Sequence, residues 1–324
     1  MSTKDVVLAL FEKNRGFFVS GEQIASELNI TRTAVWKAVK ILQKEGYKIK
    51  AVTNRGYCLA KDSDVLSERG IRSALTGAAS DLRPEVFVSV DSTNNICRIM
   101  ADTGESEGYV AIAGAQTSGR GRRGRSFYSP ADTGIYMSIL LRPEDYPPEK
   151  ILRLTTMAAA AVSASIDEVS GKKAEIKWVN DIFVDGKKVC GILSEALYSV
   201  QGGKLECVIV GIGINAYAPE GGFPTDIAGT AGCVFDKSEV GLKNRLSAEI
   251  LNRFMAYYRG LSVDDYYDEY KKRSFVIGRD IKVISGSDTV NARVLGLDDE
   301  CGLLVRYEDG TEEVLRSGEI SIRV

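Results

Sequence analysis

The segment SGRGRRGRSFYSP, Ser118 to Pro130, sets Arg120, Arg122, Arg123 and Arg125 among Gly119, Gly121 and Gly124, and no Asp or Glu lies between Glu107 and Asp132. Guanidinium groups offer forked donors that match carboxylate and phosphate. The glycines allow positive φ and close backbone approach. Together they suit the capture of a small anion. Read literally, GRGRRG fits GxGxxG, but a dinucleotide fingerprint must open a helix whose N-terminus takes the pyrophosphate. Here the chain continues to Pro130 and the strand pattern GIYMSILLR. No Gly-Lys-Ser or Gly-Lys-Thr marks a P-loop, and the segment is too short and too internal to be an RNA-binding tail. A loop inside an α/β domain that orders around a small anionic ligand is what remains.

Three further stretches could work with it. KWVND, Lys177 to Asp181, ends a strand where the chain turns; by itself Lys177 is more simply an exposed edge lysine, and the arginine loop reverses that preference. GIGIN, Gly211 to Asn215, strips side chains from a strand just before its end, leaving room for a ligand on the sheet. DSTN, Asp91 to Asn94, puts small donors and acceptors at a helix start, where plain capping is the competing reading. The chain has no histidine, so a Ser-His-Asp triad, a Cys-His dyad and His-ligated zinc are excluded. Catalysis must rest on Lys, Arg, carboxylates, backbone amides and a bound metal.

The elements that must position these groups follow from periodicity. Residues 4–14 read as a helix with Val7, Leu10 and Phe11 on one face. Ser20 and Gln23 form a capping-box pattern before Ile24 and Leu28. A helix opening at Thr31 carries Val35, Val39 and Leu42 inward and stops at Gly46. YKIKAVTNRGYCL reads as a hairpin turning at Asn54-Arg55-Gly56. This order is that of a winged helix-turn-helix, with Thr31, Arg32, Thr33, Trp36 and Lys37 toward a major groove and the hairpin, with Arg55, on the DNA backbone. Trp36 fits a partly buried core position equally well. Residues 1–60 hold ten Lys or Arg against five Asp or Glu while the whole chain is at -2, which suits nucleic acid for this part alone.

Beyond it strands and helices mix: a strand VFVSV, strands on both sides of the arginine loop, a long helix EKILRLTTMAAAAVSASIDEVSG, and a strand-turn-strand-turn-strand run from Ala174 to Leu197. A buried strand KLECVIVGIGIN and helices at about 237–259 and 262–273 follow. After Val276 only short strands remain, read as a small β-barrel. The expected division is 1–62, 63–274 and 275–324 in a 324-residue α+β chain. No signal-peptide core or 18-residue apolar run occurs, and six scattered cysteines without a CxxC read as reduced thiols of a cytoplasmic protein.

With GRGRRGR, KWVND, GIGIN and DSTN in this order behind a winged helix, the sequence resembles the biotin–protein ligases, in particular the bifunctional type that also represses biotin genes. The resemblance spans the chain and implies a winged helix, a mixed-sheet ligase core and an SH3-like C-terminal barrel. Relatives commonly have Pro at the Val179 position and often Trp at Phe127, and the adenine-covering loop maps loosely to FPTDIAGTAG, Phe223 to Gly232. The resemblance implies that the biotin carboxylate attacks the α-phosphate of ATP, with Mg²⁺ on the phosphates, and that a lysine of a biotin carboxyl-carrier domain then takes the biotinyl group. It makes Lys177, Arg122 and Asp181 catalytic. It assigns biotin to Ser92, Thr93, Asn94, Gln116, Gly119, Arg120, Gly121, Arg122, Lys177 and Gly191, and the adenylate to Arg122, Arg125, Asn180 and Asn215. No protein metal ligand is expected. The other readings are a biotin-sensing regulator without activity and a lipoate or octanoyl ligase of related fold. Operator DNA, a carrier domain and a second copy of the chain are the expected partners. The second copy would pair along the strand KKVCGILSEAL if that strand lies at a sheet edge.

Overall fold

The protein was analysed as a computed structural model that describes residues 2–143, 151–199, 203–260, 263–285, 288–316 and 318–322. Helices α1 (Thr3–Lys13), α2 (Gly21–Leu28) and α3 (Arg32–Lys44) precede a hairpin of β1 (Ile49–Val52) and β2 (Gly56–Leu59). The inward positions read from the sequence, Val7, Leu10, Phe11, Ile24, Val35, Val39 and Leu42, form one core with Ile49 and Leu59. Ser20 Oγ accepts from Gln23 N at 3.0 Å while Gln23 Oε1 accepts from Ser20 N at 3.1 Å, so the capping box satisfies two helix-end donors. Gly56 has φ +93, and a Cβ there would stand 2.2 Å from the Val19 carbonyl oxygen. Only glycine lets the hairpin lie this close to the α1–α2 connection, where Val19 and Tyr57 exchange hydrogen bonds.

The chain leaves this unit through buried Ser63 and Asp64. Asp64 Oδ1 accepts from Gly241 N at 2.9 Å, and Oδ2 accepts from Lys243 N at 2.9 Å and from the Tyr217 hydroxyl at 2.7 Å. A carboxylate on the free amides of a helix N-terminus is favourable. Lys243 is itself buried; desolvation pushes its ammonium below the usual lysine range, opposed by Asp64 and Asp132. Its Nζ donates to the Asp132 carbonyl at 3.2 Å.

The central part contains α4 (Glu68–Arg72), β3 (Arg83–Phe87), α5 (Thr93–Asp102), β4 (Tyr109–Ala113), β5 (Gly134–Leu141) and α6 (Ile151–Ser170). After these come β6 (Ala174–Lys177), β7 (Asp181–Val184), β8 (Lys187–Tyr198), β9 (Leu205–Asn215), α7 (Leu242–Tyr258) and α8 (Val263–Arg273). The seven strands run in the order β3-β4-β5-β9-β8-β7-β6, with only β3 and β4 parallel. Every residue of β4 and β5 is buried, as mid-sheet strands covered on both faces require. Residues Leu154–Ile166 of α6 are buried without a break. Its alanines let α7, α8 and β8 approach from several sides, and small residues suit that closeness. Gly171, at φ +70, follows α6 where the sequence places the helix end; Glu149 and Lys150 of that expected helix lie outside the described residues.

Two expectations shift. The strand read as VFVSV is β3, Arg83–Phe87, with Val88 exposed: its extent is set by parallel pairing to Tyr109–Ala113, not by its own apolar run. KKVCGILSEAL is not an edge strand, because β8 lies between β9 and β7. Yet β7 covers only Lys187–Gly191, so among the described residues Leu193–Tyr198 is paired on the β9 side alone. The C-terminal strands β10 (Asp280–Ser285), β11 (Asp288–Leu297), β12 (Leu303–Tyr307), β13 (Glu312–Leu315) and β14 (Glu319–Ile322) form an antiparallel sheet in the order β13-β12-β11-β10-β14. Their buried side chains, among them Ile281, Val294, Leu303 and Ile320, belong to the same core as the central sheet. Among the described residues no helix is long and apolar enough to cross a membrane.

Candidate active site

One pocket gathers most of the residues singled out from the sequence: Ser92, Thr93, Asn94, Gln116, Arg120, Gly121, Arg122, Arg125, Lys177, Asn180, Asp181 and Gly191 all line it. Lys177 ends β6 and stands opposite Asp181 at the start of β7, across the turn through Asn180. The Trp178–Val179 peptide in that turn is cis. Asn180 is fixed from below: its Nδ2 donates to the Ile192 carbonyl at 2.9 Å and its own carbonyl accepts from Ile192 N at 3.0 Å. Its Oδ1 accepts from Arg122 Nη1 at 2.9 Å, which ties the arginine loop to the lysine turn. Asp181 Oδ1 pairs with Lys188 Nζ at 2.6 Å.

The arginine loop folds as a small hairpin. Gly121 N donates to the Arg125 carbonyl at 2.7 Å and Phe127 N to the Gly119 carbonyl at 2.9 Å, with Arg123 at φ 56 on the tip. Gly119 therefore sits at the loop base, outside the pocket lining. The pocket floor is made of glycines. Gly191 and Gly213 stand opposite each other on β8 and β9, and Gly211 opposite Leu193. A Cβ at Gly213 would lie 2.6 Å from the Phe127 ring, and one at Gly211 would lie 2.1 Å from Asn94 Oδ1. The ring and the amide occupy what side chains would otherwise fill. Phe127 meets Tyr136 edge to face at 6.3 Å, so the smaller aromatic is packed in place.

The polar wall opposite the arginines starts at α5. Ser92 is its N-cap residue but makes no capping bond with its side chain, so capping does not account for it. Asp91 accepts from Asn95 Nδ2 at 2.6 Å, which chiefly holds its carboxyl below the usual range. Thr93, Asn94 and Ser138 are buried. Gln116 Oε1 accepts from Thr93 N at 2.9 Å, and Gln116 Nε2 donates to Ser129 Oγ at 3.0 Å. Ser138 Oγ lies 2.6 Å from Asn94 Oδ1 and 2.7 Å from Thr93 Oγ1. Asn94 Nδ2 donates to Glu195 Oε2 at 2.7 Å, and Arg98 Nη2 donates to Glu195 Oε1 at 2.9 Å.

Asn215 falls outside the pocket lining; its Nδ2 donates to the Gly232 carbonyl at 3.0 Å. Segment 223–232 is held there and by Lys188, whose N donates to the Thr230 carbonyl at 2.8 Å. Residues not foreseen in the lining include Lys188, Gly318 and Ile320. A side chain pairing with Asp181 was findable from the hairpin. The two C-terminal residues left no local signal, since only tertiary packing brings them in. Among the described residues no group of three or more His, Cys, Asp or Glu could hold a metal ion.

On the first unit, Arg32, Thr33, Trp36 and Lys37 all lie exposed on α3. Trp36 is 51% exposed, which excludes the core alternative. Thr31 caps α3 by accepting from Ala34 N at 3.1 Å, so its side chain is already engaged. Arg32 approaches Glu22 at 3.4 Å, and exposed Arg55 lies 4.2 Å over the Phe18 ring.

Residues 86–215 match the model of the Biotin/lipoate A/B protein ligase family, 4–58 that of an HTH domain, and 276–323 that of the Biotin protein ligase C terminal domain. Over 318 residues, 96% of each chain, the sequence is 33% identical to the bifunctional ligase/repressor BirA of Bacillus subtilis (strain 168). The chain belongs to the bifunctional biotin ligase/repressor family. The Escherichia coli (strain K12) relative is 27% identical over 95% of this chain and 94% of its own. Among solved structures, the Aquifex aeolicus biotin protein ligase in complex with biotin and ATP aligns with a TM-score of 0.61 and 26% identity, covering 74% of this chain and 98% of that one. A winged helix, a ligase sheet and a C-terminal sheet are thus the parts of one family architecture.

Proposed function

We propose that this protein is an ATP-dependent biotin–protein ligase that is also a DNA-binding repressor of biotin genes. Biotin's carboxylate attacks the α-phosphate of ATP, releasing pyrophosphate and leaving biotinyl-5′-adenylate. An acceptor lysine then attacks the acyl carbon, forming an amide and releasing AMP. The observation that carries this reading is the tie between Arg122 and Asn180, which brings the arginine loop over the turn that holds Lys177. Two anions must meet, so fixed positive charge where negative charge builds is the main catalytic need.

Residue roles follow from that need. Lys177 bridges the biotin carboxylate and the α-phosphate. Arg120, Gly121 and Arg122 close over them, and Arg125 and Asn180 serve the adenylate. Ser92, Thr93, Asn94 and Gln116 bind the ureido ring, and Gly191 supplies floor. Asp181 orients the incoming lysine, and its contact with Lys188 supports orientation over proton abstraction. Mg²⁺ would ride on the nucleotide phosphates. The acceptor would be a biotin carboxyl-carrier domain, and the three units would be 1–62, 63–274 and 275–324. A cytoplasmic site of action fits the six free cysteines. A second copy or the carrier would add to the open half of β8, Leu193–Tyr198, so ligation and dimerisation would compete.

The test is transfer of radiolabelled biotin, lipoate or octanoate to a carrier domain, alongside operator binding with biotin and ATP. Biotin transfer with adenylate-dependent operator binding is expected. Transfer of lipoate or octanoate in place of biotin would overturn the reading, and operator binding without any transfer would make the protein a sensor only.

A further inference from the structure

Glu195 lies outside the pocket lining, yet its carboxylate accepts from the Asn94 amide at 2.7 Å and pairs with Arg98 at 2.9 Å. A carboxylate accepts only, so Asn94 must turn its NH₂ toward Glu195 and its carbonyl toward Ser138. Ser138 is fully buried and owns one proton, which that carbonyl takes over 2.6 Å. The 2.7 Å contact between Ser138 Oγ and Thr93 Oγ1 then needs the Thr93 proton. Gln116 Oε1 also lies within reach of the Thr93 hydroxyl at 3.2 Å, but the shorter 2.7 Å contact to Ser138, whose own proton is spent on Asn94, is the one that needs the Thr93 proton. Having given its proton to Ser138, Thr93 Oγ1 is left able only to accept, on a residue that lines the pocket. Without the charge at 195 nothing fixes this direction: Asn94 could flip, Ser138 could donate to Thr93, and Thr93 would present a proton instead.

We infer that Glu195 is a positioning residue that sets the hydrogen-bond polarity of the pocket wall, making Thr93 an acceptor for a ring N–H of the ligand. This deepens the biotin reading and rests on it for the ligand. The device selects a cyclic urea, which donates through N–H, over a ring that carries an acceptor at the same place. A site built around one such hydrogen bond rejects an analogue that cannot make it.

The test compares the full-length protein with Glu195→Gln, which keeps size and removes the charge. The first readout needs no ligand: the side-chain NH₂ resonances of Asn94, assigned by their loss in Asn94→Asp. They are expected to shift in Glu195→Gln while the backbone spectrum is otherwise retained. The second is affinity for biotin against a cyclic-carbamate analogue in which oxygen replaces one ureido N–H. Wild type is expected to prefer biotin, and Glu195→Gln to lower that preference about tenfold, the worth of roughly one hydrogen bond. The KM for biotin should rise while the KM for ATP stays unchanged. Unmoved Asn94 resonances, or an unchanged preference in a folded variant, would overturn the inference. Shifted resonances in a protein whose wild type ignores biotin would support the polarity and sink the biotin reading instead.

Discussion

Gly211→Ala puts one methyl group where the structure leaves no room. The new Cβ would stand 2.1 Å from Asn94 Oδ1, more than 1 Å inside ordinary contact. Asn94 is the group that must move, since β9 is hydrogen-bonded on both sides, to β5 and β8. Moving it breaks the bond to the Glu195 carboxylate at 2.7 Å and the bond from Ser138 at 2.6 Å. A charge-assisted bond and a neutral one together amount to about 2–4.5 kcal/mol. Those two bonds are lost with or without biotin, so their cost falls on stability; if the amide is expelled from the pocket wall, biotin affinity should fall by about tenfold, the worth of roughly one ligand hydrogen bond. The unliganded protein should also melt lower, because Ser138 loses its acceptor in a buried setting. Calorimetric titration with biotin and a thermal melt measure the two parts separately. A variant with wild-type biotin affinity and wild-type Tm would refute the idea that the glycine floor exists to seat Asn94.

Arg122→Gly should release the adenylate early and label lysines on bystander proteins, because the tie to Asn180 is gone; adenylate off-rates equal to wild type would contradict this. Burial pushes the Cys97 thiol up to about 12 and the Cys301 thiol to about 11, while unfolded thiols ionise near 9. Above pH 9 the unfolded chain therefore loses protons that the folded one keeps, and stability should fall by about 1.4 kcal/mol per pH unit per thiol until the folded values are reached. Urea midpoints between pH 8 and 10 check this, and a flat profile would contradict it. In sedimentation the adenylate should strengthen a weak dimer by about 1–3 kcal/mol, the usual range of allosteric coupling. Equal association with and without adenylate, in a protein whose operator binding needs it, would mean that the signal bypasses the β8 edge.

What was legible in the sequence depended on how local the cause was. The faces of α1, α2 and α3 follow from a 3.6-residue period and from caps a few residues away, so Phe11, Ile24 and Leu42 lie inside as their spacing requires. The arginine loop and Lys177 stand out by residue type and turn chemistry, whereas Gly191 came only with the family resemblance. Strand order could not be read: the sequence leaves open whether KKVCGILSEAL lies at a sheet edge, and β8 is an inner strand because β7 folds back over its first half. The limits of β3 depended on a parallel partner more than twenty residues on, and parallel pairing leaves no local mark. Glu195 stands 101 residues from Asn94, and Gly318 arrives from just before β14 of the C-terminal sheet. Charge and polarity at such distances are decided by packing.

The central claim is that Lys177, beneath the arginine loop, lets two anions react. Biotin-dependent exchange of labelled pyrophosphate into ATP measures that step without carrier or operator. Wild type should exchange only when biotin is present, and Lys177→Ala, folded as judged by its melt, should lose about 100-fold or more in rate. Exchange near the wild-type rate in folded Lys177→Ala would contradict the account.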